Sequence, residues 1–146
     1  MGVEENKAVV RRFVEEVQSQ HKVELVDELF DPDYIDHAVP LGMPPARGTG
    51  YFKQFYNAML QAFPDLHATI HDQIAEGDKV TTRKAFRGTH RGEFMGIPPT
   101  DKKSELLVID IFRVTDGRLA EHWGTWDNLS LLQQLGAMPA SGQGTG

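Results

Sequence analysis

The hydrophobic period of this chain changes near its middle, and that change constrains the fold more than any other feature. In the first half, apolar residues recur at helical spacing, as in Val9, Phe13 and Val17. From Leu66 onward, apolar and polar residues alternate, which is typical of half-buried strands. Helices followed by a meander of long strands predict an α+β fold, with the helices on one face of an antiparallel sheet.

The same patterns set the boundaries of the elements. Thr49 is the predicted N-cap of the third helix, Pro64 ends that helix, and Asp116-Gly117 is a tight hairpin turn. Three N-terminal helices against one strongly bent antiparallel sheet predict a cone-shaped barrel with an apolar interior, open at one end. The predicted helices cover residues 4–18, 23–30, 50–63 and 129–135, the extended segment 33–38, the loop 40–48, and the strands 66–71, 79–90, 104–115 and 118–127.

Length and composition exclude several classes of protein. The 146 residues suit one domain, predicted over residues 1–138, with a flexible Gly-rich tail over 139–146. The chain has no cysteine, so disulfides and thiol nucleophiles are excluded. A net charge of −6 without clustered Lys and Arg argues against a nucleic-acid partner. Because no apolar run could cross a membrane and the start carries no signal pattern, we expect a cytoplasmic protein without a membrane partner.

The strand over 104–115 carries one carboxylate among apolar residues. Asp110 shares a predicted strand face with Leu106, Val108, Phe112 and Val114. A carboxylate on such a face is costly unless it is paired or protonated. Asp110 is therefore a candidate catalytic residue.

The hairpin turn predicts what lies opposite Asp110. A two-residue loop at Asp116-Gly117 would place Asp110 opposite Trp123 and diagonal to Glu121, about 7 Å away. Two carboxylates so close on an apolar face should leave one with a raised pKa, which suits acid–base catalysis. The alternative is a structural carboxylate satisfied by an arginine, with Arg83 on the neighbouring strand as the candidate.

Two histidines and one loop complete the candidate site. His37 precedes a Pro/Gly loop, where it could carry protons at the rim of a pocket or serve as a structural histidine. His90 could line the pocket or lie in a turn. Residues 93–100 are too apolar for a free loop, so we expect a wall or lid over the cone. Neither a metal-ligand cluster nor a phosphate-binding loop is present, and we expect no metal and no cofactor.

Several sequence blocks resemble one family. Residues 88–100, 109–114, 116–123 and 131–136 are similar to the corresponding stretches of SnoaL-like polyketide cyclases and their ester cyclase relatives. The resemblance implies the nuclear-transport-factor-two-like (cystatin-like) cone, a cofactor-free pocket and a homodimer. It also implies that an acid–base aspartate closes a ring of a polyketide by an intramolecular aldol reaction. The residues expected to bind substrate are His90, Arg83, Phe94, Met95, Ile97, Trp123, Phe55 and Met59.

The family aspartate is replaced in this chain. Counted from the shared Asp-Gly turn, that aspartate falls on Gly124 and the pocket histidine of the cyclases falls on Asp110. The two-residue hairpin puts residues 110 and 124 on opposite faces, whereas a bulge in the last strand would bring them to one face and weaken the pairing of Asp110 with Glu121.

Two classes of function remain open. The first is an enzyme acting on an apolar, carbonyl-bearing small molecule, by cyclisation, isomerisation, dehydration or hydrolysis, with Asp110, Glu121 and His37 as catalytic residues. The alternative is a non-catalytic protein of the same fold, either a binding protein for an apolar ligand or a dimeric interaction domain. A homodimer is expected in addition, because Leu107, Ile109 and Ile111 make the second face of their strand apolar.

Overall fold

The computed structural model describes residues 2–139, so most of the predicted tail lies outside the described residues. The N-terminal part of the chain forms helices with two shorter strands among them, four long strands follow, and one short helix lies at the C-terminal end. The elements are α1 (Val3–Arg12), continued by a π-helical stretch (Phe13–Ser19), a 3-10 turn (Val23–Leu25), α2 (Val26–Leu29), β1 (Phe30–Asp36), β2 (Ala46–Arg47), α3 (Gly50–Ala62), β3 (His67–Glu76), β4 (Lys79–Thr89), β5 (Lys103–Thr115), β6 (Arg118–Trp126) and α4 (Asn128–Gln134).

The sheet has six strands in the order β2-β1-β6-β5-β4-β3. The meander from β3 to β6 is antiparallel, as predicted, and the α+β class is confirmed. Two details of the prediction were wrong: β1 pairs with β6 in parallel, and the sheet is open rather than closed into a barrel. The parallel pair arises because β1 precedes the meander and joins its last strand through a long crossover.

The helices pack on one face of this sheet, which we call the inner face. The ring of Phe13, from the π-helical stretch, lies 5.2 Å from the ring of Phe30 and 5.5 Å from that of Phe112 on β5. Tyr34 and Phe30 make a further edge contact at 4.6 Å. These rings are all buried, and together they fill the space between the helices and the middle of the sheet.

A bulge in β6 determines which residues share a face. The hairpin turn is confirmed: Asp116 and Gly117 both have positive φ, as a two-residue hairpin turn requires. Leu119 pairs with Val114, and Glu121 pairs with Arg113, the neighbour of Val114 on β5. Two steps along β6 therefore match one step along β5, and Ala120 is the extra residue. The side-chain alternation of β6 is therefore shifted by one residue beyond the bulge.

The outer face of the sheet is partly apolar and uncovered in the single chain. Leu107 and Ile109 on β5 are 49% and 48% exposed, and Ile74 on β3 is 66% exposed. In the part of the chain that the structure describes, no helix is long and apolar enough to span a membrane.

Candidate functional site

Asp110 lies on the inner face of β5 and is paired with a lysine. Its side chain is only 3% exposed, and its Oδ2 accepts a hydrogen bond of 2.8 Å from the Nζ of Lys84, which is 1% exposed. Lys84 belongs to β4, where Val80, Thr82 and Phe86 share its inward direction. The expected arginine partner was wrong. Arg83 is exposed because it is one residue away on the strand and points to the outer face.

His122 lies between Asp110 and a second buried carboxylate. Its Nδ1–H donates to Asp36 Oδ1 at 2.9 Å, and its Nε2 lies 3.6 Å from Asp110 Oδ2. Burial lowers the pKa of His122, but Asp110 and Asp36 outweigh this effect, so the pKa is raised above its ordinary value. We call these four residues, Lys84, His122, Asp110 and Asp36, the buried cluster.

One oxygen of Asp110 is left without a partner. Oδ1 is buried and accepts no hydrogen bond from any described residue. Burial raises the pKa of Asp110, but the charges of Lys84 and His122 overcome it and hold the pKa below its usual range. A buried acceptor without a hydrogen bond costs about 1–3 kcal/mol, so a donor that reached Oδ1 would be stabilised there.

Glu121 and His37 lie together, but on the outer face. The Nε2–H of His37 donates to Glu121 at 2.6 Å, and the Nε of Arg113 donates to the other carboxylate oxygen at 2.9 Å. These hydrogen bonds, that from His37 first, lower the pKa of Glu121. The predicted proximity of Asp110 to Glu121 was therefore wrong, as was the raised pKa of one of the two, because the bulge in β6 turns Glu121 outward.

Trp123 also lies on the outer face. It pairs with Ile111 rather than with Asp110, and its ring stacks on that of His37 at 5.0 Å with an angle of 3° between the planes. The ammonium of Lys79 lies 5.1 Å from the centre of the Trp123 ring. The structure thus separates Asp110, in the buried cluster, from His37, Glu121 and Trp123 on the outer face.

The predicted lid closes the far end of the helix layer. Phe94 is buried and its ring lies 5.4 Å from that of Phe63, just beyond the C-terminus of α3. Phe94 and Ile97 are bridged by a turn that leaves Met95 65% exposed. Just before this segment, the backbone N–H groups of Arg91 and Gly92 donate to the carbonyl of Ala62, the last residue of α3. The segment is therefore a wall at this end.

His90 is buried behind this wall. The backbone N–H of Thr100 donates to His90 Nδ1 at 3.2 Å, so the ring proton is on Nε2, which has no partner among the described residues. The ring lies 5.5 Å from that of Phe63. His90 and Asp110 belong to different parts of the inner face, since His90 follows the end of β4.

Two of the residues expected to bind substrate, Phe55 and Met59, lie on α3. Met59 is buried in the core, and the ring of Phe55 lies 5.0 Å from that of Trp126, the last residue of β6. Trp126 is 38% exposed, so this pair of rings separates the interior from solvent. Two surface grooves of about 350 and 500 Å³ have other linings, and Asp110 is in neither of them.

Sequence reasoning missed four members of this arrangement: Lys84, His122, Asp36 and Gln18, whose Oε1 accepts a hydrogen bond of 2.9 Å from Lys84. Lys84 could have been identified from the sequence, because it stands between Thr82 and Phe86 on the inward face of β4 just as Asp110 stands among the apolar residues of β5. His122 could not have been, since its direction depends on the bulge. Within residues 2–139, no three His, Asp or Glu side chains are grouped as metal ligands.

Comparison with known proteins accounts for this fold. The profile of the SnoaL-like polyketide cyclase family matches residues 8–135. The chain belongs to this family. It is 30% identical over 112 residues to nogalonic acid methyl ester cyclase of Streptomyces nogalater, which covers 76% of the chain and 83% of that protein. It is 27% identical to aklanonic acid methyl ester cyclase DnrD of Streptomyces peucetius, over 88% of both chains.

A solved structure supports the same assignment. The crystal structure of wild-type IdmH from Streptomyces antibioticus has a TM-score of 0.79 and 35% sequence identity, covering 90% of this chain and 98% of IdmH. In this chain Gly124 pairs with Asp110 across β5 and β6. The bulge therefore brings positions 110 and 124 to one face. A Cβ at Gly124 would lie 3.2 Å from the Cβ of Asp110 and 3.1 Å from the His122 ring, so the glycine leaves room for that imidazole.

Proposed function

We propose that this SnoaL-like protein is a cofactor-free acid–base enzyme that closes a ring in an apolar, polyketide-like carbonyl compound. The observation that carries the proposal is the unpartnered Oδ1 of Asp110. It belongs to an ionised carboxylate whose other oxygen is fixed by Lys84, as a pre-oriented base would be. The names of the relatives, which are cyclases of polyketide methyl esters, supply the substrate class.

The proposed reaction needs no other reagent. Asp110 Oδ1 takes a proton from the carbon next to a carbonyl, and the resulting enolate carbon attacks a second carbonyl of the same molecule. One carbon–carbon bond forms, and the alkoxide takes up a proton, so substrate and product have the same composition. Protonated His122, oriented by Asp36, is suited to give or share that proton.

Access to Asp110 requires movement of side chains. Because Asp110 is 3% exposed, a substrate has to displace rings that cover the interior. The contact between Phe55 and Trp126 supports an entrance beside these two rings, because Trp126 is partly exposed to solvent. On the proposed route, Phe55 and Met59 on α3 line the substrate path.

The partner surface is proposed to be the outer face of the sheet in a homodimer. Leu107 and Ile109 are half-exposed alternate residues of β5 on this face, and Ile111 continues the same apolar stripe. A sheet that is apolar on both faces is normally covered on both. The His37–Glu121–Arg113 group borders this stripe, which supports a role in assembly for these residues rather than in proton transfer.

The test is turnover of nogalonic acid methyl ester and aklanonic acid methyl ester by the purified protein, followed by chromatography and NMR of the product. Asp110→Asn should lower turnover about 10²–10⁴-fold, the usual contribution of a positioned proton-transfer group. Asp33→Asn, at an exposed carboxylate on β1, is the matched control and should be unchanged. Turnover by Asp110→Asn at the wild-type rate would refute the assignment of the base.

A second candidate is binding of an apolar ligand without turnover. Two observations favour it: Asp110 is neutralised by Lys84, and large rings fill the interior. Saturable binding of both esters, measured by calorimetry, with no product after prolonged incubation would support this candidate over the enzyme.

A further inference from the structure

Lys84 is a charged residue buried in the interior. Its side chain is 1% exposed, and its stem and ammonium lie among aromatic rings, with Nζ 5.8 Å from the centre of Phe13 and 5.3 Å from that of Phe86. Replacing a buried ion pair by well-packed apolar residues is often neutral or stabilising. Packing alone therefore does not explain a lysine at this position.

The donors of Lys84 are directed by the surrounding elements. One N–H donates to Asp110 Oδ2 at 2.8 Å and another to Gln18 Oε1 at 2.9 Å. Gln18 is itself fixed, because its backbone carbonyl accepts a hydrogen bond from the hydroxyl of Tyr56 on α3. Gln18 lies in the π-helical stretch, whose wide turn brings Val14, Val17 and Gln18 to the buried side together.

The groups around Asp110 leave Lys84 as its closest cation. His122 on β6 faces the same oxygen from 3.6 Å and is shared with Asp36 on β1. Tyr34, also on β1, is close enough for Asp110 to contribute to its raised pKa, and burial is the main cause of that rise. Without Lys84, an ionised Asp110 would be buried with one shared and more distant cation, and the neutral acid would be favoured.

We propose that Lys84, oriented by Gln18, is a positioning residue that keeps Asp110 ionised and reserves its Oδ1 for the substrate. Lys84 holds Oδ2 and does not itself contact the substrate. This inference rests on the proposed function of Asp110 as the base, and it adds the residue that determines the pH range in which that base works.

The experiment measures the protonation of Asp110 without a substrate. In protein labelled with ¹³C at aspartate, the carboxyl resonance of Asp110 is titrated in the wild type and in Lys84→Met. Loss of the adjacent charge should raise the pKa of Asp110 by about 1 to 3. The acidic limb of the kcat/KM profile should move upward by the same amount. Lys103→Met, at an exposed lysine on β5, is the control and should change neither.

The wild-type protein provides a second measurement of the contact between Lys84 and Asp110. If Lys84→Met does not fold, the wild type decides: the Cε and Nζ resonances of Lys84 must shift with the midpoint of Asp110, and their failure to do so overturns the proposal. An unchanged pKa of Asp110 in folded Lys84→Met also overturns it. Absence of wild-type turnover, with the expected rise in the pKa, would refute the proposed function while leaving the effect of Lys84 on Asp110 in place.

Discussion

Asp110→Asn removes the negative charge that faces Lys84 while keeping the shape of the side chain. In the variant, the Lys84 ammonium stays buried without its carboxylate, and His122 loses one of its two acidic neighbours. Breaking a buried pair by removing one partner is strongly destabilising, because an uncompensated charge remains in the interior. We therefore expect a large loss of stability at neutral pH.

The geometry gives the size of this loss. At the 2.8 Å separation of Lys84 and Asp110, the attraction is roughly 6 kcal/mol for an effective dielectric constant of about 20. Desolvation of both groups offsets part of it, and removal of one member of such a pair costs about 3–5 kcal/mol. For a domain of this size, about 4 °C of Tm per kcal/mol predicts a fall in Tm of roughly 12–20 °C.

The dependence on pH provides an internal check. Because the folded-state pKa of Asp110 is lowered, its stabilisation is complete above the ordinary value of 3.8 and is lost as the pH falls through the lower folded value. The difference between wild type and Asp110→Asn should therefore shrink below about pH 4. Thermal and urea unfolding of both proteins between pH 3 and 8 measure it.

A clear result would refute this reasoning. If Asp110→Asn unfolds within about 0.5 kcal/mol of the wild type at pH 7, as an exposed site such as Asp33→Asn should, Lys84 and Asp110 do not form a buried ion pair. Unfolding measurements on Asp110→Asn do not separate a structural Asp110 from a catalytic one. Oδ2 is paired with Lys84 and Oδ1 has no partner among the described residues, so the ion pair and the proposed role as a base use different oxygens of one carboxylate.

Three further outcomes are expected. Gly124→Ala should lower the free energy of unfolding by about 1–3 kcal/mol in urea, because the new Cβ crowds Asp110 and His122; an unchanged midpoint would contradict the tight contact. Since the pKa of His122 is raised, its charged form stabilises the fold fully below pH 6.5, and this contribution should fade as the pH rises through the higher folded value. The free energy of unfolding of His122→Gln should not show this decrease at higher pH. Ile109→Lys should convert a dimer to a monomer in light scattering, and a wild type that is already monomeric at micromolar concentration would contradict the proposed outer-face interface.

Local sequence patterns predicted most of the elements and the face on which Asp110 lies, although β2 (Ala46–Arg47) formed within the predicted loop 40–48. The change from a period of 3.6 to a period of 2 is a property of neighbouring residues, so it survives without knowledge of the rest of the chain. The same alternation placed Leu107 and Ile109 opposite Asp110, and both are half-exposed on the outer face. The Asp116-Gly117 turn was equally local, because positive φ at both positions is a property of the turn itself.

The partners of Asp110 could be decided only by the tertiary structure. One extra residue, Ala120, shifts the register of β6, turning His122 inward and Glu121 outward; no periodic pattern marks such a bulge. Asp36 reaches His122 because β1 joins β6 in parallel across a separation of 86 residues. The sequence determined that a carboxylate would be buried on this strand, whereas packing of distant elements determined that Lys84 and His122 would neutralise it. The neighbouring residues in the sequence predict that a charge is buried, but the strand register and the chain crossover determine which counter-ion lies beside it.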